Sequence, residues 1–331
     1  MLRETVRLII LTAAMFTIPV QAADAQPSSP LELAQTIVLA DVRGRIDHLA
    51  VDPDDARLFV AALGNDSVEV VDMRAGARVA RIKGLREPQG IGYVRSADRL
   101  YVANAGGGVD VFEASTLRRL SRIEGLDDAD NVRLDDANGK VYVGYGHALA
   151  AIDAKSGKLL ERIELAGHPE SFQLESTGTR IFVNVPTATH IAVVDRSKHE
   201  VTNTWSIGQK QANFPMALDE ASHRLFIATR RPASLLIFDT QAGMRKAELP
   251  IGGDADDLFY DAKHKRLYVL CGDGVVDVIQ QKDADRYERV AEVSTVRGAR
   301  TGLFVASRDA LFVAVPAHAG APAEIRVFAA R

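Results

Sequence analysis

Short apolar runs broken by polar turns fill the chain, and one run recurs seven times. It reads RLFVAAL from Arg57, RLYVANA from Arg99, KVYVGYG from Lys140 and RIFVNVP from Arg180. It returns as RLFIATR from Arg224, RLYVLCG from Arg266 and ALFVAVP from Ala310. Successive starts lie 42, 41, 40, 44, 42 and 44 residues apart. A repeat of that length, with one apolar strand per copy and turn chemistry between copies, is the pattern of a β-propeller blade.

Each repeat resolves into four strand-like segments separated by turns. In the first copy they fall at residues 45–51, 57–62, 67–72 and 78–82. The third segment recurs as VEVVD, VDVFE, LAAID, IAVVD, LLIFD and VVDVI, apolar where neighbouring blades must pack. The fourth is amphipathic and more charged (ARVARI, LRRLSRI, KLLERIEL), as an outermost strand facing water should be. Between them an Asp is followed four residues later by Gly, as in Asp72 with Gly76, Asp153 with Gly157 and Asp239 with Gly243. An Asp that bonds its own backbone before a Gly tolerant of positive φ makes a tight turn, so these acids are structural. The seventh copy supplies only three segments and ends with EIRVFA at 324–329. Residues 33–40 (LAQTIVLA) can provide the missing outer strand and close the ring. The expected fold is all-β: a seven-bladed propeller of four-stranded blades, closed by the N-terminal strand completing the C-terminal blade.

The RLYVAN, RLFVA and VxVVD segments resemble the YVTN-type β-propeller repeat, and the whole mature chain resembles exported, YncE-like propeller proteins. That resemblance implies a WD40-like, seven-bladed, export-targeted binding or scaffolding protein. It brings no family-wide catalytic set, and a fold alone supplies none.

The first residues read differently from the repeats. Arg3 and Arg7 precede an uncharged apolar run at 8–20, and small residues follow at 20–25. That is a signal-peptide pattern, so residues 1–25 are expected to be removed and 26–331 to form one domain. A run of 13 residues with Pro19 near its end is short for a membrane span of about 20 residues. No Cys stands there to carry a lipid anchor. A periplasmic or secreted protein without a membrane span after cleavage is expected, and a monomer. The single cysteine, Cys271, has no internal disulfide partner. The net charge of −4 and the absence of any basic run disfavour nucleic-acid binding.

Candidate chemistry emerges where the repeats disagree. Ten residues before each motif, at the start of the innermost strand, stand Asp47, Gln89, Asp130, Glu170, Phe214, Asp256 and Arg300. Twelve before stand Arg45, Glu87, Asp128, His168, Ala212, Asp254 and Gly298. His48, Asn131 and Asp257 directly follow three of the acids, and Asn213 adjoins Phe214. Innermost strands ring the propeller axis, so these groups should converge at one mouth of the central channel. The irregular loops after the second strands, including Arg230-Arg231, lie on that same face. The candidate ligand-binding set is therefore Arg45, Asp47, His48, Gln89, Asp130, Asn131, His168, Glu170, Asn213, Arg230, Asp254, Asp256, Asp257 and Arg300.

Four acids in a narrow mouth require a cation, raised pKa values or abundant water. Arg45 and Arg300 could compensate, and so could a divalent metal. Carboxylate and amide oxygens suit Ca²⁺ or Mg²⁺, and adding His48 and His168 suits Zn²⁺ or Mn²⁺. No H-x-H or C-x-x-C spacing supports a metal directly. The Gly106-Gly107-Gly108 run lacks the Lys-Ser/Thr and helix of a phosphate loop. His199, His223 and His264 fall in plain turns on the opposite face and read as solvated. The leading reading is non-catalytic binding of a small ligand or periplasmic protein partner at the mouth. An enzyme of lactonase or lyase type, using the acids and His with or without a metal, is the alternative. A merely hydrated channel in a structural scaffold is the third.

Overall fold

A computed structural model describes residues 29–52 and 57–331. The leader read at residues 1–25 and the first hairpin turn at 53–56 lie outside the described residues. The described residues form seven four-stranded antiparallel sheets, the blades of a propeller. Their innermost strands are Leu49–Asp52, Pro88–Val94, Val132–Asp135, Phe172–Leu174, Gln211–Asp219, Ala255–Asp261 and Thr301–Val305.

The repeated motif is the second strand of every blade, from Arg57–Ala62 to Ala310–Val315. All of its residues beyond the first are buried in six of the seven copies. A strand covered on both faces reads as an unbroken apolar run, which is why the motif shows no alternation. The core divides into seven clusters, one between each pair of adjacent blades. Fourth strands are outermost and mostly exposed, as in Leu159–Glu164, where Ile163 alone is fully buried.

Closure follows the expected route. Leu31–Leu39 pairs antiparallel with Ala323–Ala330, Leu31 opposite Ala330 and Leu39 opposite Ala323. Ile37 and Leu39 are buried in the cluster that joins the last blade to the first, with Leu58, Phe312 and Ile325. The tight turns also take the expected form. Asp72 Oδ1 accepts from the N–H groups of Arg74 (2.7 Å) and Ala75 (2.9 Å), and Gly76 follows at φ 63°.

One segment departs from the expected register. The first inner strand begins at Leu49, not at residue 45. Asp47 N–H still donates to Ala61 O (2.7 Å), and Ala61 N–H to His48 O (3.1 Å). The ladder thus continues as one bonded pair before the chain bends over the channel mouth.

Candidate functional site

The mouth is built by interrupting the inner strands at their first turn. Asp130 and Glu170 repeat the arrangement of Asp47. Their N–H groups donate to Gly144 O (2.9 Å) and Asn184 O (3.0 Å), and the following residues accept from the same two partners. In three other blades a β-bulge stands there, between Pro88 and Ile91, Asn213 and Met216, and Ala255 and Asp257. An interruption of this kind re-aims side chains, here over the channel axis.

Eight of the fourteen candidates line one polar hollow of about 170 Å³: Arg45, Gln89, Asp130, His168, Glu170, Arg230, Asp256 and Arg300. Asp254 stands at its rim between two arginines. Asp47, His48, Asn131 and Asp257 form a layer around the imidazole of His48. Its Nδ1 lies 3.3 Å from Asp257 Oδ1, and its Nε2 lies 3.6 Å from Asp47 Oδ1 and 3.7 Å from Asp130 Oδ1. Asp257 is itself held by the Gly302 N–H at 2.8 Å. A Cβ at position 302 would stand 2.7 Å from Leu270, in the blade that carries Asp257, so glycine lets this strand come close enough to donate.

Charge closes upon itself at the rim. Arg300 Nη1 donates to both oxygens of Asp254 (2.9 and 2.7 Å), and its Nε lies 2.8 Å from Asp256 Oδ2. Arg230 pairs with Asp256 and, at 3.2 Å, with Asp254, and gives Nε to Ala255 O (2.9 Å). Its guanidinium sits 4.1 Å from the centroid of the Phe214 ring. Arg45 donates to Asp47 at 2.6 Å. Arg230, the best anion contact on sequence grounds, is thus already committed to two carboxylates.

Burial and crowding set the protonation of this group. Burial disfavours a charged imidazole at His48, but Asp257, Asp47 and Asp130 outweigh it and push its pKa up to about 10. Burial, reinforced by Asp47 and Asp256, pushes Asp130 up to about 7. Burial, with Asp130 and Asp256 beside it, pushes Glu170 up to about 9. Asp256 is raised by burial against the pull of Arg230 and Arg300. Glu170 is thus neutral near pH 7, and the Asp47, Asp254, Asp256 and Asp257 carboxyls stand against Arg45, Arg230, Arg300 and His48. An imidazolium donates from both nitrogens. Asn131 Nδ2 lies 3.3 Å from Nε2 and its Oδ1 is buried without a partner, so turning the amide over would let the oxygen accept from the imidazolium.

Two candidates stand apart from this network. Asn213 is fully buried away from the mouth, donating to Asn184 Oδ1 (3.0 Å) and His190 O (3.1 Å). Its candidacy rests on its place next to Phe214, and the bulge beside it leaves it turned into the blade. His168 lines the hollow but pairs Nδ1 with Gly146 O at 3.0 Å, beside Asp128 at 3.6 Å, and does not join His48. Among the described residues no three His, Cys, Asp or Glu side chains are arranged to hold a metal ion. Cys271 is fully buried and its thiol is pushed well up by burial, so it offers no nucleophile. On the far face His264 is half-buried on Asp261 (2.7 Å) and not freely solvated. Arg133, on the third inner strand below the mouth, is absent from the sequence reading. An arginine where every other blade carries an uncharged residue was the available signal.

No family model matches the chain, and no curated protein does. Solved structures match along nearly all of it. A chain of Kuenenia stuttgartiensis hydrazine synthase aligns over 93% of this chain and 98% of its own, with a TM-score of 0.75 and 17% identity. The WD40 repeats of RRP9 align over 91% and 100%, with a TM-score of 0.79 and 13% identity. A chain of the mitotic checkpoint complex aligns over 96% and 99%, with a TM-score of 0.76 and 12% identity. The shared property is the propeller fold. Among the described residues no helix is long and apolar enough to cross a membrane.

Proposed function

We propose that the chain is a non-catalytic binding protein of the YVTN, YncE-like kind, exported to the periplasm or beyond, with its ligand seated at the polar mouth. The observation that supports this is the internal pairing of the mouth's charges. The four cations each face carboxylates of the same chain. The rest of the hollow's wall is Glu170, neutral at pH 7, with Gln89, the Phe214 ring, Asp130, and Asp128 beside His168. Neutral donors and acceptors beside an aromatic face suit an uncharged polar ligand, or a polar segment of a protein partner. Propellers in protein assemblies, such as the one in the mitotic checkpoint complex, make the second occupant a natural one.

Ligand-observed NMR with a panel of sugars, amides and hydroxy acids tests this. At least one binder is expected, weakened about tenfold by Glu170→Leu, the scale of one lost hydrogen bond. Binders indifferent to Glu170→Leu would remove the mouth from the reading. The enzyme alternative is favoured by one feature, an acid at Asp130 titrating near neutrality with its Oδ1 unpaired. Turnover of a lactone by the pure protein, abolished by Asp130→Asn, would replace binding with catalysis.

The cations of the mouth are, in this proposal, the three guanidiniums and the His48 imidazolium, with no Ca²⁺, Mg²⁺, Mn²⁺ or Zn²⁺ required. Elemental analysis of the purified mature protein is expected to find no stoichiometric metal. EDTA is expected to leave the melting temperature unmoved. A stoichiometric metal whose removal lowers the melting temperature would overturn this assignment.

A further inference from the structure

We infer that the far half of the central channel is a second binding site, for a small apolar monocarboxylate. Beneath the His48 layer the channel widens into a cavity of about 310 Å³. That is the small end of the range, about 300–1,000 Å³, typical of ligand sites. Most of its wall is apolar: Leu49, Ile91, Val132, Leu134, Met216 and Leu258.

In every blade one inner-strand residue stands opposite the aromatic of the repeated motif. Around the ring these are Ala50, Gly92, Arg133, Gln173, Ala217, Phe259 and Leu303, of which only Arg133 brings a charge. All but Ala217 line the cavity.

Arg133 differs from the arginines of the mouth. Its Nη1 donates to Val132 O (2.9 Å) and its Nη2 to Ser171 Oγ (3.2 Å), and it lies 5.6 Å from the Phe172 ring centroid. Among the described residues no carboxylate forms an ion pair with it. Its nearest acids are already engaged, Asp257 by His48 and the Gly302 N–H, and Asp130 by the His48 layer. Asp257 and Asp130 act on it only at longer range, and a buried guanidinium without an ion-paired carboxylate is held at a cost that a bound anion reduces. Its planar fork fits a carboxylate on two donors, and the Ser171 hydroxyl, which accepts from Arg133, keeps its own proton to donate.

The same wall sets the rest of the ligand. Asp257 also borders the cavity, so a second negative charge is disfavoured. The tail would run along Leu258 and Phe259 toward the adjoining hollow beside Leu218, Tyr260 and Phe304. Met216 offers an adaptable surface for it.

Titration calorimetry with octanoate, octanol and octanedioate tests the site. Octanoate is expected to bind, with octanol and octanedioate at least about tenfold weaker, the cost of one unmatched charge in a closed site. Arg133→Met is expected to weaken octanoate about thirtyfold or more, the scale of removing one partner of a buried charge pair, without lowering the melting temperature. Should that variant fold poorly, Ser171→Ala is expected to weaken octanoate about tenfold. Absence of octanoate binding, equal affinity for octanoate and octanol, or undiminished binding by folded Arg133→Met would each overturn the inference.

Discussion

Replacing His48 with leucine is expected to cost about 3–5 kcal/mol of unfolding free energy at pH 7, the range for removing one partner of a buried charge network. The melting temperature should fall on the order of 10 °C. The imidazolium lies within 4 Å of the carboxylates of Asp47, Asp130 and Asp257, and two of these reach no guanidinium. Leucine fills similar space but leaves the acids facing one another. They can respond only by taking up protons or admitting water, and both cost free energy. A second change separates charge from packing. Adding Asp257→Leu removes one of the orphaned acids and should return part of the loss, because an apolar replacement of both partners is often neutral. Urea unfolding of the single and double variants measures both numbers. A loss below about 1 kcal/mol for His48→Leu, within the range of ordinary surface pairs, would show that the cluster does not depend on its central cation.

The blades were legible because everything that makes them is local. An apolar strand buried on both faces, an Asp bonding its own backbone and a Gly at positive φ each leave a mark within a few residues. The closing strand was legible by arithmetic, since the seventh repeat lacked a segment that residues 33–40 could supply. The mouth was legible as a place, because inner-strand starts must converge on the axis. Its internal order was not. Counting by twos found Phe214 at the mouth, but adjacency could not tell which way its neighbour Asn213 points beside a bulge. Pairing fails for another reason: His48 meets Asp257 from a blade far off in sequence, while Arg300 meets Asp254 in the preceding blade. No spacing rule carries such choices. Arg133 carries no such mark, because it stands inside the strand, three residues beyond the acid that opens the mouth.

Stability should fall as the solution becomes alkaline, a direction fixed by three raised pKa values. Asp130 moves from 3.8 to about 7, Glu170 from 4.5 to about 9 and His48 from 6.5 to about 10. In each case the folded chain holds a proton that the unfolded chain releases, so the folded state loses ground as pH rises. For His48 the stabilisation is complete below pH 6.5 and is lost on the way to about 10. For Asp130 and Glu170 the decline begins near their ordinary values and ends near 7 and 9. Asp41, held down to about 2 by Arg78 and Arg81, acts in the opposite sense and loses its contribution only as pH drops below 3.8. Glu220, held down to about 2 by hydrogen bonds from Ser176 and Thr177 that outweigh its desolvation, does the same below 4.5. The maximum therefore lies near pH 4, where the opposing groups change over. The three raised groups share neighbours and titrate as one network, so the expected decline between about pH 6 and 9 is about 3 kcal/mol and not three separate losses. Urea midpoints across that window measure it, and Asp130→Asn, which cannot ionise, should flatten the lower part of the curve. A midpoint that stays level or rises from about pH 6 to 9 would mean that water, and not protons, relieves the crowding of acids at the mouth.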